Sequence, residues 1–290
     1  MLSDHTMPPT ETDCASAVRQ LKDLLDGIQF EVWKMRLETP HVYATTPMLR
    51  GVWGRALRLV DQRAYDEIFV GLGPDNRRVP KYIIRPAPPD PRTAPAIDLV
   101  LINVPSSLRP AVWEAWLVAC GMGLGKGRVP FRIREKIPIA STSEGLPPDW
   151  ANSGNPATAP CRLTFPTPLR LMRKGTLLQH PALQNITTAG VRRVCHLAGM
   201  SRGPGYQSIQ RCTSALAAEI RASPWQGKRS NLVRWSAVQQ RELELFGVTG
   251  TLTLPNGPGA LLPLLNTLRW LHLGKGTVYG MGQLTVTSMR

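Results

Sequence analysis

The first clear hydrophobic pattern lies at Ala15–Leu25, where Ala17, Leu21, Leu24 and Leu25 recur at helical spacing and Gly27 ends the run. The period then changes to two. Over Ile28–Leu37, Ile28, Phe30, Val32 and Lys34 share one face, and Gln29, Glu31 and Trp33 share the other, which predicts a strand. Pro40, within Thr39–Tyr43, marks the exit from it. The stretch from Met48 to Phe69 suits a helix, weakened in its first turns by Gly51 and Gly54. Next come a short strand at Val79–Arg85, the rigid loop PAPPDPRTAP, and a strand of buried type at Ala96–Val104. A helix from Ser106 carries Trp113, Trp116, Leu117 and Cys120, and a strand is expected over Val129–Ile139. The order β-α-β-β-α-β is that of a ferredoxin-like domain.

The Ser-, Gly- and Pro-rich stretch at 141–160 reads as a linker, so we divide the chain into a first domain over 1–145, a linker at 146–160 and a second domain over 161–290. The second domain repeats the order. A strand at Cys161–Leu171 ends in a basic turn at Arg173-Lys174-Gly175, and a helix follows from Pro181 to Ala198. A mostly helical insertion at about 199–227 precedes strands at Leu232–Val238 and Leu243–Leu254, an apolar helix from Leu261 and a last strand at Thr277–Thr287. The fold class is therefore α+β: two tandem ferredoxin-like (RRM-like, βαββαβ) domains. Leu124-Gly125-Lys126-Gly127-Arg128-Val129 and Leu273-Gly274-Lys275-Gly276-Thr277-Val278 occupy the same place in the two halves, between a Trp-bearing helix and a strand. This echo points to an internal duplication.

Charge narrows the partner. The 290 residues carry a formal net charge of +15, and the pI is near 10.3, which favours a polyanion. With 42% hydrophobic residues the chain has ample core, yet no apolar run reaches the 18 or so residues of a membrane span, so nucleic acid is preferred over a membrane. The polar, acidic start MLSDHTMPPTETDC is not a signal peptide, and the expected compartment is the cytoplasm. Cys14, Cys120, Cys161, Cys195 and Cys212 are scattered without a CxxC pair, so neither a disulfide framework nor a metal site is expected, and no cofactor is implied.

LRWLHLGKGTVYGMG (Leu268–Gly282) resembles the glycine-rich C-terminal motif of the CRISPR-associated precursor-crRNA processing endoribonucleases of the RAMP superfamily. RWSAVQQREL (Arg234–Leu243) followed by FGVTG resembles their basic strand motif in the second domain. FPTPLRLMRKGTLL (Phe165–Leu178) resembles that domain's first strand and turn, and MLRGVWGRALR (Met48–Arg58) the opening helix of the first domain. The likeness spans most of the chain and is strongest from Cys161 onward. The insertion departs from the pattern and marks a divergent branch, such as one from type IV systems. The resemblance implies a metal-independent nuclease that binds a repeat stem-loop and cuts at its 3′ side by attack of the 2′-hydroxyl. It also implies retention of the crRNA in an effector complex with other CRISPR subunits.

Such chemistry needs a base, cationic donors for the developing phosphorane and a proton for the leaving oxygen. Of five histidines, His5 lies in the polar N-terminal stretch, His180 starts a helix, and His196 and His272 occupy helices where a core or interface place is expected. His41 is the best candidate, in the part of the first domain where the family often carries its general-acid/base histidine. Tyr43 would orient the 2′-hydroxyl. Arg36 and Arg241 would hold the phosphate, which an arginine does well although it is a poor base, with Arg19 and Lys34 behind them. For binding, nine basic residues (Arg192, Arg193, Arg202, Arg211, Arg221, Lys228, Arg229, Arg234, Arg241) face one acidic residue, Glu219, between Gly190 and Arg241. Arg211 and Arg221, ten apart, are expected on one helix face, with Tyr206 and Trp225 available for stacking on bases. Arg173, Lys174, Gly274, Lys275 and Gly276 complete the expected RNA surface. The rival readings are a non-catalytic subunit that binds the crRNA hairpin within a CRISPR ribonucleoprotein, and a general basic nucleic-acid binder.

Overall fold

The computed structural model describes residues 11–38, 44–71, 78–87, 96–142, 157–200, 203–236 and 241–289. Strands β1 (Phe30–Glu38), β2 (Tyr82–Pro86), β3 (Ala96–Ile102) and β4 (Arg132–Ser141) form an antiparallel sheet in the order β2-β3-β1-β4. Helices α2 (Thr46–Val60) and α3 (Arg109–Met122) cross over it, which completes a ferredoxin-like unit. The alternation along β1 sorts its side chains as the period of two requires. Met35 and Leu37 join Tyr82, Ile84, Leu99 and Leu101 in the core with α2 and α3. Phe30 and Val32 join Ile83, Val100 and Ile102 on the opposite face, in a core shared with the second domain. Both faces of this sheet are thus covered, which is why β3 is buried along nearly its whole length.

The second domain pairs β5 (Cys161–Leu169), β8 (Gln226–Ser236), β9 (Arg241–Leu254) and β10 (Thr285–Ser288) in the order β10-β5-β9-β8, the same topology again. Its crossover helices are α4 (Leu183–Leu197) and α6 (Leu262–Leu271). A small hairpin, β6 (Met172–Arg173) and β7 (Thr176–Leu177), turns at Lys174 and Gly175, both in the left-handed region, as the basic turn predicts. The inserted helix α5 (Pro204–Glu219) lies against α4 and against the N-terminal helix α1 (Glu11–Asp26). The β8–β9 hairpin is longer than expected. Its Arg241–Gly247 portion pairs with β8 alone and projects beyond the sheet as an arm.

Three expectations are corrected. Thr277–Thr287 is not one strand: Thr277–Tyr279 form a 3-10 turn between Gly276 and Gly280, both left-handed, and only Thr285–Ser288 pair with β5. The two Gly-Lys-Gly turns occupy equivalent places but close differently. Leu124 and Val129 bond each other, whereas Leu273 N–H donates to the Gly282 carbonyl at 3.1 Å. Arg211 and Arg221 do not share a helix face, because α5 ends at Glu219 and Ile220 is already extended.

Candidate nucleic-acid interface

The cations converge in two places. The first is a cavity of about 430 Å³ between α4, the β6–β7 hairpin and the Gly274–Lys275 turn. Helix α4 contributes Asn185, Thr188, Ala189, Arg192, Arg193 and His196, one face at i, i+3 and i+4 steps. The hairpin side brings Arg170 and Arg173, and the glycine turn brings Lys275. The Lys275 N–H donates to the Arg170 carbonyl at 3.0 Å, which locks the turn onto the end of β5. Arg193 is the innermost cation. Its Nε donates to the Leu271 carbonyl at 3.2 Å, its Nη2 is sealed from solvent with no hydrogen-bond partner, and burial pushes its pKa down to about 10, so it stays charged at neutral pH.

The second place is the seam between the domains. Thr46 Oγ1, at the start of α2, donates to the Tyr279 carbonyl at 2.9 Å. The Tyr279 ring is then shared by two arginines from different domains: Arg50 of α2 with Cζ at 4.9 Å from the ring centroid, and Arg234 of the β8 arm at 5.6 Å. The Nε atoms of both are buried without an acceptor. Behind this stack, Arg85 Nε donates to Asp98 Oδ2 at 3.1 Å in a buried pair, and Arg85 Nη1 donates to the Arg269 carbonyl at 3.0 Å. His272 is fully buried beside them. Its Nδ1 lies 3.0 Å from the Met281 carbonyl, which only accepts, and its Nε2 lies 3.3 Å from Arg85 Nη1, which only donates. The ring is therefore the neutral Nδ1–H tautomer. Burial and the adjacent Arg85 charge hold its pKa well below the usual histidine range.

Arg173, Arg192, Arg193, Gly274 and Lys275 thus meet in the cavity. Lys174 is exposed at the adjoining hairpin turn, and Gly276 packs against Met281. Arg36, on the Phe30 and Val32 face of β1, is tied to Glu135 at 3.0 Å, and Lys34 stands in register with Asp98. Arg19 is exposed on α1. Arg241 opens β9 at the far end of the arm, opposite Ser236. Lys228 and Arg229 are exposed on β8, Arg229 over the Phe246 ring at 4.0 Å, and Arg211 and Arg221 are exposed around α5. His41, Tyr43 and Arg202 lie outside the described residues, as does His5. Tyr206 is buried in the core, and Trp225 packs against Phe165 at 5.8 Å, so the aromatics expected to stack on bases are committed to packing. Arg50, Arg170, His196 and Tyr279 were not among the expected site residues. His196, expected at a core or interface place, lines the cavity. Its spacing from Asn185, Thr188 and Arg192 carried that signal, but only the hairpin opposite reveals it.

The model of the family described as CRISPR-associated endoribonuclease Cas6 matches residues 163–284, the stretch that holds the cavity, the arm and the glycine-rich turn. The match covers the second domain and makes that half of the chain similar to the Cas6 family. Both domains take part in the structural likeness. Thermus thermophilus Cas6 superposes with a TM-score of 0.54 at 17% identity, over 90% of this chain and 99% of that one. A Cas6 product complex superposes with a TM-score of 0.57 at 17% identity, over 90% and 100%. A chain of a partial Cas6-RT-Cas1–Cas2 complex gives 0.53 at 10% identity, over 90% of this chain and 46% of that chain. At these identities the likeness is one of fold, and it is the tandem ferredoxin-like arrangement that is shared. No curated protein sequence matches the chain. Among the described residues, no helix is long and apolar enough to cross a membrane, and no group of three His, Cys, Asp or Glu side chains is arranged to hold a metal.

Proposed function

We propose that the chain is a metal-independent endoribonuclease that binds the repeat hairpin of precursor crRNA and cleaves at its 3′ side. It then stays with the crRNA as part of an effector complex with other CRISPR subunits. The observation that carries this reading is the Cas6 family match over the same residues that gather the cationic cavity and, at the seam, Arg234 and Tyr279. In the reaction, the 2′-oxygen loses its proton and attacks phosphorus, the bond to the 5′-oxygen breaks, and that oxygen takes a proton. The products are a 2′,3′-cyclic phosphate and a 5′-hydroxyl. His41 is the base, Tyr43 orients the 2′-hydroxyl, and Arg36 and Arg241 neutralise the phosphorane.

The seam supports a catalytic centre between the domains. The segment bearing His41 and Tyr43 leads directly into Thr45 and Thr46 at the start of α2, and Thr46 is bonded to Tyr279. Arg50 and Arg234, with their guanidinium groups gathered around that ring, are suited to attract a phosphate near it. The second reading, a non-catalytic hairpin-binding subunit, is favoured by one observation: the Arg36 guanidinium is already engaged by Glu135.

Incubation of the purified protein, in excess and with EDTA, with its cognate repeat RNA tests the proposal. Cleavage leaving a cyclic phosphate is expected, and His41→Ala is expected to slow it by about 10²- to 10⁴-fold. Intact RNA at protein excess selects the non-catalytic reading. A rate that survives in His41→Ala and collapses in Arg36→Ala moves catalysis to the arginines.

A further inference from the structure

We infer that the cavity between α4, the β6–β7 hairpin and the Gly274–Lys275 turn is a pocket for one unpaired nucleotide of bound RNA, separate from the surface that holds the stem. The inference rests on the RNA-binding reading above. Its volume of about 430 Å³ lies toward the lower end of the roughly 300–1,000 Å³ typical of small-ligand pockets, which suits one nucleotide and excludes a helical stem.

The lining is two-sided. Leu171, Leu178 and Ala189 form an apolar wall for the flat face of a base, while Arg192 and Lys275 supply charge for its phosphate. Asn185 Oδ1 is occupied by the Ala182 N–H at 2.9 Å, which leaves its amide N–H groups to read a base edge. Arg193 backs this wall: its Nε donates to the Leu271 carbonyl at 3.2 Å, which fixes a third positive charge behind Arg192 and Lys275. A phosphate in the pocket would sit among these three cations. Single-stranded RNA is the class that combines such an anion with an apolar, hydrogen-bonding plane.

The experiment uses the full chain and three RNAs: the repeat hairpin alone, the hairpin with unpaired flanking nucleotides, and a four-nucleotide oligouridylate carrying 4-thiouridine. The flanked hairpin is expected to bind at least 10-fold more tightly than the bare one. Thr188→Trp, which fills the pocket without changing charge, is expected to erase that gain. Lys275→Gln is expected to weaken flanked RNA several-fold and to lower the slope of its salt dependence by about one. Equal binding of flanked RNA by Thr188→Trp and the unaltered protein overturns the pocket, and so does a flank that adds nothing. The crosslink separates the two claims. Attachment within 171–178 or 185–196 supports the pocket even if the hairpin is not bound. An oligouridylate that binds elsewhere, or does not bind, overturns it even if hairpin binding holds.

Discussion

At the scale of the residue, the seam between the domains is set by groups that cannot change their charge state cheaply. Asp98 and Arg85 are both shifted toward neutrality because burial outweighs their attraction, yet they remain bonded to each other, and Arg85 also supplies the donor that fixes His272. The imidazole has no room for a second proton, since protonated Nε2 would face the Arg85 guanidinium. In the unfolded chain a histidine titrates near pH 6.5, so below that pH the unfolded state binds a proton that the folded state refuses. The stabilisation is complete above about pH 6.5 and is lost by about 1.4 kcal/mol per unit as pH falls below it. Urea unfolding at pH 7.5 and pH 5.5 should show the unaltered protein losing about 1.4 kcal/mol more than His272→Asn, whose amide can still donate to the Met281 carbonyl but does not titrate. Equal losses in the two proteins would show that His272 takes its proton in the folded state. The interface role of His272 was readable from its place on an apolar helix, whereas its partner Arg85, 187 residues away, was not. For His196 the same reading left core and interface open, and the β6–β7 hairpin packed across from it makes that helix face a cavity wall.

At the scale of the element, period and punctuation carried most of the fold. The period-two run at β1 and the continuous apolar run at β3 fell where expected, because each has a face, or two, buried against a partner. The errors lie where local propensity met a backbone constraint. Thr277, Val278 and Tyr279 are strand-favouring residues, but the left-handed glycines on either side bend them into a turn. The start of β8 was missed because Gln226, Gly227, Lys228 and Arg229 are exposed and show no alternation. The two kinds of glycine in the basic turns separate cleanly. Gly282 has φ of 69°, and a Cβ there would drive into the Leu273 carbonyl oxygen, which itself belongs to the turn that Gly282 closes. Gly175 has φ of 82° but open space around it. Gly282→Ala should cost about 3 kcal/mol or more, combining strain and clash, and Gly175→Ala only about 1 kcal/mol, from backbone strain alone. Denaturant midpoints of the two variants decide it. A Gly282→Ala protein no less stable than Gly175→Ala would mean that the glycine-rich turn yields and is not the fixed element that the seam requires.

At the scale of the molecule, the two ferredoxin-like units are one folding problem. Phe30 of the first sheet stacks on Trp270 of the second domain with centroids 5.9 Å apart. Ile83, Val100 and Ile102 lie in the same continuous core as Leu264, Leu268 and Leu271. Helix α1 belongs to the first domain by its place in the chain but packs on the helices of the second. Asn103 adds a hydrogen bond from its amide to the Leu197 carbonyl at 3.0 Å. A surface of this kind, apolar and continuous with both interiors, resembles a core cut in half more than the polar contact of two mobile domains. This matters for the proposed chemistry, because the arginines around Tyr279 come from both domains and hold their positions only while the seam stays closed. The whole chain should therefore unfold in urea in one cooperative transition, with circular dichroism and tryptophan fluorescence giving the same midpoint. The separated second domain, residues 157–290, should be aggregation-prone or at least several kcal/mol less stable, since Trp270, Leu268 and Leu271 lose their cover. Two transitions, one of them reproduced by the isolated second domain, would show that the domains are energetically independent. The Arg50–Tyr279–Arg234 stack would then form only when RNA draws the halves together, and its affinity for phosphate would be paid for by that closure.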